Sequence, residues 1–272
     1  MKIDFSSIKG NSTSFVLSDS HVAFANALRR AMQSEVKSFA IEDVKIYDNS
    51  SALFDEMLAH RLGLIPLTTD LKSYVPRDQC SCNNKGCSLC TVTLTMSVEG
   101  ARTVVSDDLI SQDPAVHPAF GNVPIVKLEK NQKVVLEAYA ILNRGLEHAK
   151  WQPVTVCGYK NYPLITPDSR CDGCGLCVEV CPKNILEVIG GKITVKEGGD
   201  VQCSLCRLCE QACLNSGIGE EPAIHITMDD TRFIFSMESD GSLPVVEIIT
   251  QGLLYLKIQS DELLEALCEI RG

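Results

Sequence analysis

No run in this 272-residue chain approaches 18 consecutive apolar residues, so nothing in it has the length of a membrane-spanning helix. The first residues, Met1-Lys2-Ile3-Asp4, lack the apolar core of a secretory signal. That argues for the cytoplasm and against a disulfide framework. Positive charge is in deficit, with 25 Lys and Arg against 35 Asp and Glu, a formal charge of −10. A chain of that sign is a poor bare binder of phosphate backbones, whose affinity comes from cations, so direct sequence-specific DNA binding is not expected. Aromatic residues are sparse, at 6% with one Trp. No Asp-x-Asp metal carboxylates and no Gly-rich phosphate loop are found, so no catalytic residue is assigned.

What the chain has in excess is cysteine, 14 residues, and twelve of them fall in three tetrads. Cys171-Asp-Gly-Cys174-Gly-Leu-Cys177-Val-Glu-Val-Cys181-Pro182 reads C-x2-C-x2-C-x3-C-P, and Cys203, Cys206, Cys209 and Cys213 repeat the spacing with Leu214 in place of Pro. This is the ferredoxin run for two [4Fe–4S] clusters, in which the fourth cysteine of each run reaches the other cluster. One cluster is therefore expected on Cys171, Cys174, Cys177 and Cys213, and the other on Cys203, Cys206, Cys209 and Cys181. A pair of zinc sites is the alternative. The remaining tetrad, Cys80, Cys82, Cys87 and Cys90, lies in a short polar loop and suits either one structural zinc ion or a metal-free thiol loop. Cys157 and Cys268 read as small buried hydrophobes. Two oxidised clusters and one zinc, each about −2 with its thiolates, would take the chain from −10 to about −16.

Elsewhere, periodicity places the elements. Residues 1–18 read as a hairpin turning at Gly10-Asn11, followed by a helix capped by Ser18 or Asp19 with Val22, Ala25, Leu28, Met32 and Val36 on one stripe. Residues 38–48 look extended, and a helix from Leu53 to Leu62 stops at Gly63 and Pro66. His60 there reads as structural, and His117 has no companion. Val92, Leu94, Met96 and Val98 alternate as in a half-buried strand, and the region to 165 holds short strand-like runs such as 125–128 and 154–156. Residues 223–228 and 232–237 suggest a second hairpin around Asp229-Asp230. Val246, Ile249, Leu253, Leu256, Ser260, Leu263, Leu267 and Ile270 then recur at alternating spacings of three and four, a heptad seam. A helix over 244–270 spans about 40 Å. That length points to a seam shared with another chain, a homodimer or heterodimer surface; an internal core helix is the alternative. The predicted fold class is α+β. Its parts are a discontinuous dimerisation domain (1–40 and 223–272), an inserted α+β domain (41–165) carrying the 80–90 loop, and a ferredoxin-like 2[4Fe–4S] domain (166–222).

Several stretches carry a family resemblance: Asn26-Ala-Leu-Arg-Arg-Ala-Met32, Ile41-Glu-Asp-Val44, Glu56-Met-Leu-Ala-His-Arg-Leu-Gly-Leu-Ile-Pro66 and Glu147-His-Ala-Lys-Trp-Gln-Pro-Val154. With the C-terminal seam, they resemble the D subunits of archaeal RNA polymerases over essentially the whole chain. That family is similar to the third-largest subunit of eukaryotic RNA polymerase II and to the N-terminal domain of the bacterial alpha subunit. The eight-cysteine insertion resembles forms in some methanogenic archaea, and the 80–90 tetrad resembles the zinc loop of the eukaryotic counterpart. The resemblance implies a non-catalytic assembly subunit of a nucleotidyltransferase complex. It would form a heterodimer with subunit L, on which the large subunits and subunits N and P assemble. The clusters are expected to be structural, with redox sensing as a second role. It also implies partner-facing positions at Asn26, Leu28, Arg29, Arg30 and Glu56 to Leu62, besides Val246, Ile249, Leu253, Leu256, Leu263 and Leu267 of the seam. A ferredoxin-type electron-transfer subunit of a redox complex is the rival reading.

Overall fold

The computed structural model describes residues 1–216 and 220–271. In chain order the first elements are β1 (Lys2–Lys9), β2 (Ser12–Ser18), α1 (Val22–Ser34), β3 (Lys37–Asn49) and α2 (Asp55–Gly63). Then come β4 (Thr91–Glu99), β5 (Arg102–Val105), β6 (Ile110–Ser111), β7 (Pro124–Leu128), β8 (Lys133–Arg144) and β9 (Val154–Pro167). The cysteine-rich module holds α3 (Leu176–Glu179), β10 (Leu186–Ile189), β11 (Lys192–Val195), α4 (Gly199–Gln202) and α5 (Leu208–Asn215). The last elements are β12 (Ile224–Ser239) and α6 (Val245–Arg271). Among the described residues, no helix is long and apolar enough to cross a membrane.

The chain divides into two compact units. The first gathers Met1–Ser7, Ser14–Ala25 and Gly158–Phe235; the second gathers Ile8–Thr13, Asn26–Cys157 and Ser236–Gly272. The chain ends thus contribute to both. The first unit holds most of a four-stranded sheet of order β1-β2-β12-β9, on which Phe15 stacks against Phe235 with ring centroids 4.9 Å apart. Beside that sheet's strands lies the cysteine module, with the β10–β11 hairpin pairing Leu186 with Val195 and Ile189 with Lys192. At the base of the module the Asp168 N–H donates to Ala223 O at 2.9 Å, so the strand leading in and the strand leading out adjoin. An insertion is tolerated where its ends meet in this way.

The second unit is built on an antiparallel sheet of order β3-β8-β4-β6. Val92, Leu94, Met96 and Val98 of β4 and Val134, Leu136, Ala138 and Ala140 of β8 all turn to one buried face, as their alternation dictates. Leu58 and Leu62 of α2 fill the same core. The Trp151 indole N–H donates to Ile141 O at 3.2 Å, and Lys150 pairs with Glu42. Trp151 thereby packs on Ala40 and Ile141, closing that end of the sheet.

Four expectations need correcting. Residues 223–237 are not a hairpin but a single strand, β12. The Asp229 carboxylate accepts from its neighbour Thr231, at 2.8 Å from N and 2.7 Å from Oγ1, and Asp230 accepts from Asn161 of β9 at 3.1 Å. The acidic pair is therefore satisfied inside a sheet, and no turn forms. The cap of α1 is neither Ser18 nor Asp19: His21 Nδ1 accepts from the Phe24 N–H at 3.1 Å, and Val22 is exposed rather than on the buried stripe. Strand β9 runs for 14 residues, well beyond 154–156. Finally, Cys268 is exposed and Cys157 half-buried, so only the latter approaches the buried hydrophobe expected of both. Burial pushes the Cys157 thiol up to about 11.

Candidate metal centres and docking surfaces

The Cys80–Cys90 loop follows a single helical turn at Arg77–Gln79 and ends on β4. Short-range backbone bonds fold it tightly: Asn83 N to Cys80 O at 3.2 Å, Lys85 N to Cys82 O at 3.3 Å and Cys90 N to Cys87 O at 3.0 Å. The consequence is convergence. All four sulfurs lie within 4.8 Å of one another, with Cys80–Cys87 at 3.5 Å, Cys82–Cys90 at 3.7 Å and Cys87–Cys90 at 3.9 Å. A tetrahedron with Zn–S bonds of about 2.3 Å has edges of about 3.8 Å. Donor type, number and spacing thus fit one closed tetrahedral ion. The thiols also polarise one another. Against the effect of burial, Cys80 and Cys90 together with backbone N–H groups draw the Cys82 thiol down to about 6. Cys80 is pushed up to about 12, against its backbone bond, by burial and by its thiol neighbours.

In the cysteine module, thiols of the two runs lie within electrostatic reach of one another. The Cys177 thiol, pushed up to about 11 by burial, also feels Cys174, Cys171 and Cys213. The Cys203 thiol, raised by burial, feels Cys206 and Cys181, and Cys209 feels Cys203. A cavity lined by Cys181, Cys203, Cys206 and Cys209, with Ile165, Leu186 and Ile226 among its apolar walls, marks the second set. Backbone donors already aim at sulfur: Leu205 N lies 3.4 Å from Cys203 Sγ and Ala223 N 3.2 Å from Cys213 Sγ. Thiolate donors in a mostly apolar hollow, with N–H groups pointing at sulfur, fit an iron–sulfur cluster. The two loops place left-handed residues at the same two positions. Gly173 and Gly175 have φ of +70° and +80°, and the corresponding Leu205 and Arg207 have φ of +57° and +59°. At Gly173 a Cβ would meet Gly191 O at 2.6 Å, so the hairpin turn packs there only on glycine.

Of the expected partner-facing residues, four are taken by the chain's own core. Leu28 is 0% exposed and Ile249 4%, so neither offers a side chain to a partner. The same holds for Leu58 and Leu62 within 56–62, whereas Met57 is exposed. Asn26 accepts from Arg29, which also donates to Gln33 at 3.2 Å, while Arg30 is exposed. In α6 the inward face is Val245, Ile248, Ile249 and Gly252, one residue out of step with the expected seam at its start, and Val246 faces out. Gly252 permits this packing: a Cβ there would meet Met32 Cγ of α1 at 2.9 Å. Leu253 and Leu256 are half-buried. Beyond them the helix leaves its own core, with Leu263 62%, Leu267 50% and Ile270 82% exposed. The internal reading holds for the first half of the helix, and the second half is exposed.

Residues 44–156 match the family described as RNA polymerase Rpb3/RpoA insert domain, and residues 170–217 match the 4Fe-4S dicluster domain. DNA-directed RNA polymerase subunit Rpo3 of Methanosarcina acetivorans is 45% identical over 271 residues, covering 99% of both chains. The subunit Rpo3 of Archaeoglobus fulgidus is 39% identical over 257 residues, 94% of both chains. That of Picrophilus torridus is 37% identical over 281 residues, 98% of this chain and 100% of its own.

Proposed function

This chain belongs to the Rpo3 family of DNA-directed RNA polymerase subunits, and on that premise we propose that it is a non-catalytic assembly subunit. The segments 1–40 and 223–272 act as a dimerisation domain for subunit L. The resulting pair carries the large subunits and subunits N and P in the cytoplasm, and nucleotide addition and DNA contact stay with the large subunits. The observation that carries this reading is the long apolar face that α6 leaves uncovered from Leu263 onward, in a chain whose similarity to polymerase subunits runs its full length. A ferredoxin-type electron-transfer subunit of a redox complex is disfavoured on the same ground, since the likeness to polymerase subunits extends far beyond the cysteine module.

We assign Cys171, Cys174, Cys177 and Cys213 to one [4Fe–4S] cluster, Cys181, Cys203, Cys206 and Cys209 to a second, and Cys80, Cys82, Cys87 and Cys90 to one zinc ion. When bound, these groups supply metal–thiolate cross-links and, at the clusters, an electron-accepting centre. The protein's part is to hold the thiolates, shield them with apolar walls and direct N–H groups at sulfur.

Leu263→Asp tests the dimerisation surface, because an exposed residue can be charged without disturbing the core. The variant is expected to melt as the parent does and to lose affinity for subunit L by tenfold or more, as buried interface anchors do. Normal affinity in a two-chain binding titration overturns the seam assignment.

A further inference from the structure

The two cysteine sets differ in the charges around them. Lys160 stands on β9, and its ammonium reaches into the second loop. There it donates to Val201 O at 2.9 Å and to Cys203 O at 2.5 Å. Val201 lies in the four-residue turn of α4 and Cys203 directly follows it, where carbonyls lack helical partners. No carboxylate is paired with Lys160 among the described residues, and Lys183 adds a second cation within electrostatic reach. Glu210, the acidic group that Cys209 feels, is itself 3.8 Å from Arg207. Around the first set the balance is reversed. Arg170, the cation that feels Cys213, is held by Asp168 at 2.6 Å. A further carboxylate, Asp172, accepts from the Cys174 N–H at 3.1 Å.

Reduction adds an electron, so unmatched positive charge beside a cluster raises its potential; net charge is one of the recognised determinants of iron–sulfur potentials. We propose that Lys160 is a positioning and tuning residue that makes the cluster on Cys181, Cys203, Cys206 and Cys209 the more easily reduced of the two. The proposal rests on the cluster assignment made above. It gives the two halves of a near-symmetric module different electronic roles, with no change in ligand set.

The test is a redox titration of the full-length chain, purified anaerobically and followed by electron paramagnetic resonance, with Cys174→Ser and Cys206→Ser identifying the two signals. Lys160→Gln keeps an N–H donor and removes the charge; Lys160→Arg keeps the charge. The expected result is that Lys160→Gln lowers the reduction equilibrium of the Cys206-dependent signal about tenfold, 59 mV for a one-electron couple. The other signal stays in place, and Lys160→Arg leaves both where they were. An unmoved Cys206-dependent signal overturns the proposal, as do equal shifts of both signals or an equal shift in Lys160→Arg. A Lys160→Gln protein without the second cluster overturns it too, since Lys160 then builds the site rather than tunes it. Absence of iron and sulfide from the unaltered chain refutes the cluster assignment instead.

Discussion

In the loop from Cys80 to Cys90 the four sulfurs converge beside a core that does not depend on them. The cluster of Phe39, Ile41, Leu58, Leu94, Leu136 and their neighbours contains no cysteine. In the module from 166 to 222 the thiols are the core. Cys177, Cys203 and Cys213 are buried with Ile185, Leu186, Ile193, Ala223 and Ile224, and Cys171, Cys181 and Cys209 pack against them. A small set of aliphatic side chains and six thiols is a slight core for a segment of this length, so under the cluster assignment metal–ligand bonding is expected to contribute to its folding. Under the assignment proposed above, the first region would bind its metal because it is already folded, and the second would fold because it binds metal.

The largest expected effect follows directly. Anaerobic preparations should carry about eight Fe and one Zn per chain under this assignment. Stripping the iron with a chelator is then expected to abolish hydrogen-exchange protection in the β10–β11 hairpin while leaving β4 and β8 protected. The comparison breaks if the hairpin stays protected without iron.

Cys87→Ser probes the other side. One ligand of the closed tetrahedron is lost, and the loop from 80 to 90 is expected to exchange freely. Because β4 is anchored by Val92, Leu94, Met96 and Val98, its protection should survive, with a stability loss of about 1–3 kcal/mol. Thermal unfolding with zinc analysis checks this. Collapse of the whole β3-β8-β4-β6 sheet would show that the loop, too, is an obligate metal fold.

The difference between the regions also explains what could be read from the sequence. Cysteine spacing is a local code, so the dicluster module and the converging 80–90 tetrad are legible in the sequence. The length of α6 was legible from its repeat. Its register was not: Val246 and Ile249 fit a heptad, but the buried set is Val245, Ile248, Ile249 and Gly252, and a glycine carries no hydrophobic signal. Only the approach of Met32 reveals its purpose. The Asp229-Asp230 pair has turn chemistry by composition, and it took Asn161 on a neighbouring strand to satisfy it in extended form. Strand β8 is hard to read from the sequence although Val134, Leu136, Ala138 and Ala140 alternate, because half-buried Val135 and Tyr139 on the opposite face blur the pattern.

The smallest effect separates the two halves of the module itself. Gly175 and Arg207 occupy the same position in the two loops, each as the left-handed residue that opens the following helix, α3 or α5. A Cβ at Gly175 meets nothing within 4 Å, so Gly175→Ala carries only the backbone cost of a left-handed L-residue, about 1 kcal/mol. Arg207 bears that cost already. Its side chain is exposed and its pairing with Glu210 is long, at 3.8 Å, so little is lost by removing it. Arg207→Gly is therefore expected to gain about 0.5–1 kcal/mol, after allowing for the extra freedom of glycine in the unfolded chain. Denaturant midpoints of iron release should move in opposite directions for the two variants. Movement in the same direction would mean that the metal, rather than the backbone, sets the local conformation of both loops, and the dependence of this module on iron would then extend to single dihedral angles.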